Sequence, residues 1–326
     1  MRRKILLGCG LMAAIAVVSI AVGVHGCKNE HSRPQGQGDI TISVSPNGKF
    51  LVFNGVGQGG RDLYILDIGK GIVSRIAATQ EYEVDPSFSP DGKSIAYAAG
   101  APGDRADHLT IRDLTTGKVQ QVTSDDANVS TPSFFPGGKR IVYARDTDYH
   151  WGGLAASWNG GGAMMSVNAA GGAQTRLLPQ IACAIAPQVS PDGKTLLWWN
   201  QDGIFTAPLN IAAAPRKVTA GHVRDPAWSP NGKQIVYTEG EYSPDTQLCV
   251  ISASGGTPIT LPQAGKGCSH PVFGPNGKTI YYLMESWPSG PTGAQKHSLW
   301  MLAAAGAQPK RIANYDLFDR PMEWKP

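Results

Sequence analysis

The sequence carries little net charge outside its first four residues, and this bears on what it can bind. The formal net charge of the 326-residue chain is +4, and Arg2, Arg3 and Lys4 supply three of those charges. From Cys27 onward the balance is therefore only +1, and no run of lysine and arginine is present. Proteins that bind nucleic acid through its phosphates carry a strong positive footprint. The composition therefore argues against a nucleic-acid partner.

Cysteines are few, and the familiar catalytic signatures are missing. After Cys27 the chain has Cys183, Cys249 and Cys268, and no two of these show the CxxC-type spacing of a zinc site. Because three is an odd number, they allow at most one disulfide among themselves. There is no G-x-S-x-G nucleophile elbow, no HExxH pair and no P-loop. The sequence therefore predicts no cofactor and no catalytic residue of these kinds.

The chain has one long apolar run, at its N-terminus. Met1-Arg-Arg-Lys is followed by twenty uncharged residues, 5–24. This pattern is typical of an export signal or of a membrane anchor. We predict that residues 1–26 form this segment, that 27–38 form a flexible tether, and that 39–326 form the folded body.

The end of the apolar run, Val24-His25-Gly26-Cys27, resembles the lipobox of bacterial lipoproteins. The resemblance implies cleavage before Cys27, lipidation of its thiol and a body on the periplasmic side of the cell envelope. Lys28 stands where an aspartate is associated with inner-membrane retention, which favours the outer membrane. His25 departs from the usual small residue, so an uncleaved anchor with a single membrane span is the alternative.

A ten-residue pattern that recurs six times predicts the architecture. One copy is FSPDGKSIAY (88–97), and the prolines of successive copies are 44, 46, 55, 39 and 45 residues apart. These turn prolines are Pro46, Pro90, Pro136, Pro191, Pro230 and Pro275. Proline, then Asp, Asn or Gly, then glycine is the chemistry of a tight hairpin turn. Apolar residues five and seven positions after each proline alternate with period two, which predicts a strand with one buried face.

A third and a fourth strand follow each hairpin. Segments such as DLYILDI (62–68), HLTIRDL (108–114) and GIFTAPL (203–209) fit the third strand. Four short antiparallel strands repeated six times predict an all-β protein, a six-bladed β-propeller with about 48 residues in each blade. Trp324-Lys325-Pro326 repeats the pattern of Trp228-Ser229-Pro230. We therefore expect a terminal strand to close the ring.

The S-P-D-G-K turn with its alternating strand, preceded by a further proline four residues earlier, resembles the repeat of TolB-type (PD40, WD40-like) propellers. The earlier prolines are Pro86, Pro132, Pro187, Pro226 and Pro271. The resemblance covers the body from about residue 39 and leaves no segment for the N-terminal α/β domain that TolB carries. Oligogalacturonate lyases contain the same repeat. The resemblance therefore implies the fold and leaves open a binding protein and an enzyme.

Two long loops carry aromatic side chains that burial in the blades does not require. Residues 145–162 and 285–298 each join a second strand to a third, on the face that also carries the connections between blades. Their aromatic and histidine residues are Tyr149, His150, Trp151, Trp158 and Trp287. Exposed aromatics mark protein interfaces or sugar-stacking platforms. We predict that they belong to a binding face, the alternative being that they fold back as lids over the blades.

Polar residues near the channel complete the predicted binding face. Most stand at or beside the position five residues before a turn proline or its equivalent in the closing strand. The candidates are Asp85, His222, Arg224, Asp225, His270, Asp319 and Arg320. Mixed histidine and aspartate can hold a metal, as in the histidine-ligated site of oligogalacturonate lyases, but only two histidines fall here and we expect no metal. The lysines that follow the six turns are interpreted as solvated hairpin residues.

These patterns favour a non-catalytic, membrane-anchored binding protein of the cell envelope, whose loops meet an envelope protein partner. Two alternatives stay open. One is a lyase or hydrolase that acts on a saccharide at the channel mouth, and the other is a structural accessory subunit. Because function in propellers resides in loops on a rigid scaffold, the repeat itself does not choose among them.

Overall fold

The computed structural model describes residues 40–57, 60–76, 79–101, 106–124, 128–146, 162–181, 183–209, 214–240, 244–286, 296–303 and 306–313. These residues form 24 β-strands and one short 3-10 helix, Pro262–Ala264. None of them belongs to a helix long and apolar enough to cross a membrane. The predicted N-terminal segment, Cys27 and the tether lie outside the described residues.

The strands form six four-stranded antiparallel sheets, which we number as blades 1 to 6 in chain order. Blade 1 contains β1 (Ile42–Val44), β2 (Phe50–Gly57), β3 (Gly60–Asp67) and β4 (Ile72–Arg75). Blade 2 contains β5 (Tyr82–Phe88), β6 (Ser94–Gly100), β7 (His108–Asp113) and β8 (Val119–Gln121). Blade 3 contains β9 (Asn128–Phe134), β10 (Arg140–Asp146), β11 (Ala163–Asn168) and β12 (Thr175–Arg176).

The remaining blades follow the same plan. Blade 4 contains β13 (Ile185–Val189), β14 (Thr195–Asn200), β15 (Gly203–Pro208) and β16 (Arg216–Thr219). Blade 5 contains β17 (Val223–Trp228), β18 (Gln234–Glu239), β19 (Gln247–Ser252) and β20 (Ile259–Thr260). Blade 6 contains β21 (Cys268–Phe273), β22 (Ile280–Ser286), β23 (Lys296–Leu302) and β24 (Lys310–Ala313). The predicted six-bladed β-propeller is confirmed.

A short hydrogen-bond network explains why the repeated sequence makes the turn between the first two strands. In blade 1 the Ser45 hydroxyl donates to Asn47 Oδ1 (2.8 Å) and accepts from the Phe50 backbone N–H (2.9 Å). Asn47 Oδ1 also accepts from the Lys49 backbone N–H (2.9 Å). Blades 2, 4 and 5 repeat these bonds with Asp or Asn at the same place. The side chains therefore specify the turn through contacts that span no more than five residues.

The core is divided into six hydrophobic clusters, each lying between two neighbouring blades. In blade 1, Leu51 and Phe53 pack against blade 6, while Val52 packs against blade 2. All three side chains are buried. The expectation of one buried face was wrong for these second strands, because each blade is sandwiched between two others and both faces of its middle strands are covered.

The ring closes by direct contact between the first and last blades. Ile40, Leu51 and Tyr64 of blade 1 share a cluster with Tyr281 and Leu283 of blade 6. The turns also meet, since a Cβ on Gly48 would stand 3.1 Å from Pro275 Cγ. Residues 314–326 lie outside the described residues, so the closing strand stays a prediction, and each of the six sheets already has four consecutive strands.

Two faces of the disc differ in what they carry. We call the face that bears the turns from the first to the second and from the third to the fourth strands the turn face. The opposite face, with the loops from the second to the third strands and the connections between blades, is the loop face. Most residues of the two long predicted loops lie outside the described ranges, and the strands that flank them, β10 and β11 in blade 3 and β22 and β23 in blade 6, meet the loop face at those ends.

Candidate functional site

The first strand of each blade is called its inner strand. Five of the six inner strands contain a β-bulge at the position that the sequence singled out, five residues before the turn proline. In β5, for example, the pairing with β6 shifts between Val84 and Ser87, so that two residues oppose one. The residue at this position has a left-handed backbone in all five strands. These residues, with their φ angles, are Asp85 (55°), Thr131 (49°), Ala186 (48°), Asp225 (53°) and His270 (48°).

The proline that follows each of these residues accounts for the bulge. Proline has no backbone N–H to donate to a neighbouring strand and is confined to bulges and edges of sheets. Blade 1 has Ile42 in place of this proline, and its β1–β2 pairing is regular. There the preceding residue, Thr41, donates from both its backbone N–H and its hydroxyl to Asn54 Oδ1, at 2.8 and 2.9 Å.

A left-handed conformation is uncommon for residues other than glycine and carries a free-energy cost. Two aspartates at this position form hydrogen bonds across the boundary between blades. Asp85 Oδ2 accepts from the Thr131 backbone N–H at 2.9 Å, and Asp225 Oδ2 accepts from the His270 backbone N–H at 3.3 Å. In each case the aspartate of one bulge supplies the acceptor for the N–H of the next. These carboxylates therefore link inner strands around the channel.

A cluster of ionisable side chains lies where blades 5 and 6 meet. Arg224 Nε is 3.7 Å from Asp225 Oδ2, and His270 Nε2 is 3.6 Å from Asp225 Oδ1. Arg224 is buried, and His270 is half-buried with its Nδ1 atom lacking a hydrogen-bond partner among the described residues. Sequence reasoning named all three residues, and the structure brings them together in the middle of the inner strands.

Of the other predicted site residues, His222 lies apart from this cluster and seven lie outside the described ranges. His222 is exposed on the connection between blades 4 and 5, on the loop face. Within the described ranges, no three His, Cys, Asp or Glu side chains come close enough to hold a metal ion. Seven predicted residues lie outside those ranges: Tyr149, His150, Trp151, Trp158, Trp287, Asp319 and Arg320.

Two of the three body cysteines are inert by environment. Cys249 and Cys268 are free, and both are buried. Burial raises the pKa of the Cys249 thiol to about 11 and that of Cys268 to about 12. Cys183 is disulfide-bonded and therefore pairs with neither of them. A thiol with such a pKa is a poor nucleophile, so Cys249 and Cys268 act as small apolar core residues.

Sequence reasoning missed a buried ionic cluster between blades 1 and 2. Glu83 on β5 is fully buried and accepts from the Thr79 hydroxyl at 2.9 Å through Oε1. Asp62 on β3 is also fully buried and forms an ion pair with Arg75 on β4. Burial and, secondarily, the charge of Asp62 raise the pKa of Glu83 to about 7. The sequence offers no signal for this cluster, because its members come from three different strands and a connection.

The aspartate link between blades gives a first prediction. Replacing Asp85 by alanine leaves the Thr131 backbone N–H without its acceptor, and we expect the free energy of unfolding to fall by about 1–3 kcal/mol. Asp85→Asn keeps an acceptor oxygen, and we expect it to cost less than about 1 kcal/mol. Urea denaturation of the two variants checks this. Equal losses for both would show that the carboxylate is not a link.

The fold and the site define a class: a six-bladed β-propeller in which five of the six first strands are bulged at a left-handed residue, with an aspartate linking the first strands of neighbouring blades at two of the boundaries. The model of the TolB beta propeller domain family matches residues 35–152 and 103–326. The chain therefore belongs to the TolB β-propeller family.

A curated relative agrees with this assignment. The Tol-Pal system protein TolB of Francisella tularensis subsp. mediasiatica (strain FSC147) is 30% identical over 237 residues, which are 70% of this chain and 51% of that protein. The chain thus spans about half the length of the curated relatives it matches.

Among solved structures, TolB from Acinetobacter baumannii aligns with a TM-score of 0.60 at 22% identity, over 72% of this chain and 57% of that one. An oligogalacturonate lyase in complex with manganese aligns with a TM-score of 0.59 at 18% identity, over 85% of this chain and 77% of that one. At these identities both alignments show the fold alone.

Proposed function

We propose that this protein is a non-catalytic binding propeller of the cell envelope, which presents its loop face to a protein partner. The observation that carries the proposal is membership of the TolB propeller family, whose curated relatives are named as Tol-Pal system proteins. The matched residues make up about half (51%) of the length of that relative. The proposal therefore concerns binding by the propeller and no other activity of the longer proteins.

The described geometry supports binding rather than chemistry at the inner strands. Asp85 and Asp225 hold backbone N–H groups of the next blade, a structural duty that keeps both carboxylates in place. A closed ring with six packed interfaces is a rigid scaffold. A rigid scaffold that carries binding loops lowers the entropy cost of ordering them when a partner binds. The proposed partner contacts the loop face, with Trp151, Trp158 and Trp287 as its aromatic anchors, and the proposed site includes the Asp225–His270 pair.

The proposal also includes the attachment of the body to a membrane. The lipobox-like Val24-His25-Gly26-Cys27 favours a lipoprotein anchored through Cys27, although that form leaves the disulfide-bonded Cys183 without an intrachain partner. The apolar run of residues 5–24 favours, as the alternative, an uncleaved span, which retains Cys9 and the Cys27 thiol. Either form would hold the propeller on the periplasmic side of the envelope. The lipoprotein form with Lys28 after the cysteine favours the outer membrane.

Cross-linking of the tagged full-length protein in its native envelope tests the proposal. We expect a specific protein partner with the wild type and at least a tenfold loss of its capture with a Trp151→Ala/Trp158→Ala variant, since aromatic anchors dominate interface energies. The matched control is Gln201→Ala/Asp202→Ala, an exposed pair on the loop face of blade 4, which should retain the partner. If the wild type, the tryptophan variant and the control variant all capture the same proteins, or if the wild type captures no specific protein, the placement of the site is contradicted.

A saccharide-active enzyme is the second candidate function. The observation that favours it is the similarity of this chain's fold to that of an oligogalacturonate lyase. Two of its candidate groups, His270 and Asp225, lie 3.6 Å apart. Stoichiometric metal in the purified full-length protein, lost on His270→Ala or His222→Ala, would favour this candidate over the binding module.

A further inference from the structure

The charges of the body are segregated onto the two faces of the disc, although their sum is near zero. The described residues of the twelve turns on the turn face include eight lysines and only two acidic residues, Asp91 and Asp192. The lysines are Lys49, Lys70, Lys93, Lys118, Lys139, Lys194, Lys233 and Lys278. Including the strand residues that border these turns, the turn face carries eleven basic and four acidic residues.

The loop face has the opposite balance among its described residues. The loops and connections there contain four acidic residues and one lysine, Lys266. These acidic residues are Glu81, Asp107, Asp202 and Asp245, and with the strand residues that border these loops the loop face carries six acidic and four basic residues. The propeller is therefore polarised along its axis, with an excess of positive charge on the face that lies opposite the proposed partner site.

Six of the lysines occupy equivalent places around the ring. Each follows the glycine of a turn between the first and second strands, and each is exposed. The backbone oxygens of five of them accept from the residue after the third strand of their own blade, at 2.8–2.9 Å. Neighbouring turns also touch: a Cβ on Gly92 would stand 3.4 Å from Pro46 Cδ, and one on Gly232 would stand 3.5 Å from Pro191 Cδ. The backbone at these lysines is thus held in equivalent positions around the turn face.

Exposed aliphatic side chains border the same face. The large hydrophobic residues with high exposure in the described part of the chain are Ile72 (57%), Val119 (45%) and Ile259 (64%). All three are the first residue of a fourth strand, directly after a turn of the turn face. A face that combines lysines with exposed aliphatics has the chemistry of surfaces that attach to anionic lipid.

We propose that the turn face binds the surface of a membrane that contains anionic lipids. Lysine is a flexible, strongly hydrated point charge, which suits a diffuse field of lipid headgroups better than the shaped site of one carboxylate or phosphate. The equivalent positions of these lysines around the turn face suit a broad planar surface, and the aliphatic side chains can enter the headgroup region. This inference does not depend on the proposed loop-face partner, because it concerns the opposite face and a different chemistry.

Flotation of the full-length protein with vesicles tests the proposal. One set of vesicles is neutral phosphatidylcholine, and the other contains about a third phosphatidylglycerol. The N-terminal apolar run can bind both sets, so the measured quantity is the extra binding to the anionic set. A Lys93→Gln/Lys139→Gln/Lys278→Gln variant removes three charges from the turn face. We expect it to weaken the extra binding at 0.1 M salt by on the order of a hundredfold, since about 1 kcal/mol for each lysine near an anionic surface is about a fivefold effect, and three such effects multiply.

Matched variants and salt separate this from a simple effect of charge. Lys217→Gln/Lys266→Gln/Lys296→Gln removes the same number of charges from strands and from the loop face, and we expect less than a threefold effect. An Ile72→Ser/Val119→Ser/Ile259→Ser variant should weaken the extra binding several-fold, and 0.5 M salt should abolish most of it. Equal binding of the wild type to both vesicle sets, or equal losses in the two lysine variants, would overturn the proposal. So would capture of a soluble acidic protein by the turn-face lysines without any preference for anionic vesicles.

Discussion

Replacing Glu83 by glutamine is expected to stabilise the protein at neutral and alkaline pH, an unusual result for a fully buried residue. Burial, followed by the charge of Asp62, raises the pKa of Glu83 from 4.5 to about 7. The folded state therefore holds the proton more tightly than the unfolded state. The stability associated with this group is fully present below about pH 4.5 and is lost as pH rises to 7 and above. Since one pKa unit corresponds to 1.36 kcal/mol, the loss amounts to about 3 kcal/mol.

Urea denaturation at pH 4.5 and at pH 8 checks this expectation. Glu83→Gln should match the wild type at pH 4.5 and exceed it by up to about 3 kcal/mol at pH 8, because glutamine stays neutral. The charged groups around Glu83 are Asp62 and Arg75 from blade 1 and Glu81 on the connection, with the Tyr97 phenol on β6. Glu81→Gln makes the same change of charge at a half-buried position nearby and should not gain stability at pH 8. If Glu83→Gln loses stability with pH as the wild type does, another group is responsible.

Replacing Gly203 by alanine is expected to cost about 3–5 kcal/mol of the free energy of unfolding. Gly203 begins β15 after a two-residue turn, and its φ of 141° lies where residues with a Cβ are strained. An added Cβ would overlap the carbonyl oxygen of Thr219 and stand 3.1 Å from Ala220 Cα. Both are backbone atoms of the neighbouring chain segment and cannot move aside as a side chain does. The hairpin would have to open at the loop face.

Gly221 provides the matched control in the same region. Its φ is 101°, and a Cβ there would have no heavy atom within 4 Å. Gly221→Ala therefore isolates the backbone strain, about 1–2 kcal/mol, from the steric overlap. Thermal or urea denaturation of both variants should show the larger loss for Gly203→Ala. Equal losses of unfolding free energy in the two variants would mean that the backbone at Thr219 shifts to accommodate the added Cβ.

The sequence was sufficient to predict the blades because their main determinants are local. The turn network of Ser45, Asn47 and Lys49 lies within five residues, and the alternation of Leu51 and Phe53 follows directly after it. Third strands such as β7 and β15 were predicted within one residue of their observed ends. The turn network recurs in blades 2, 4 and 5, and the alternation of apolar residues recurs in all six blades, so the copies reinforce one another.

The candidate site was predictable in position but not in role. The spacing from the turn proline singled out Asp85, Asp225 and His270, and their prolines marked the place of the bulge. That the two aspartates bind backbone N–H groups of the next blade could not be read from spacing, because each partner stands about 45 residues away. The buried Glu83 was missed for the same reason, since its environment comes from three strands of two blades.

The amino-acid sequence by itself determined the number of blades, the order of their strands and the positions of their turns, since these follow from periodicity and short-range hydrogen bonding. Only the tertiary structure decided what those positions do together. Ring closure turns a chain with a net charge of +1 beyond Cys27 into a disc with a basic turn face and an acidic loop face. It also buries both sides of strands such as β2. The physical reason is that charge, burial and pKa depend on distances between blades, which only the closed ring establishes.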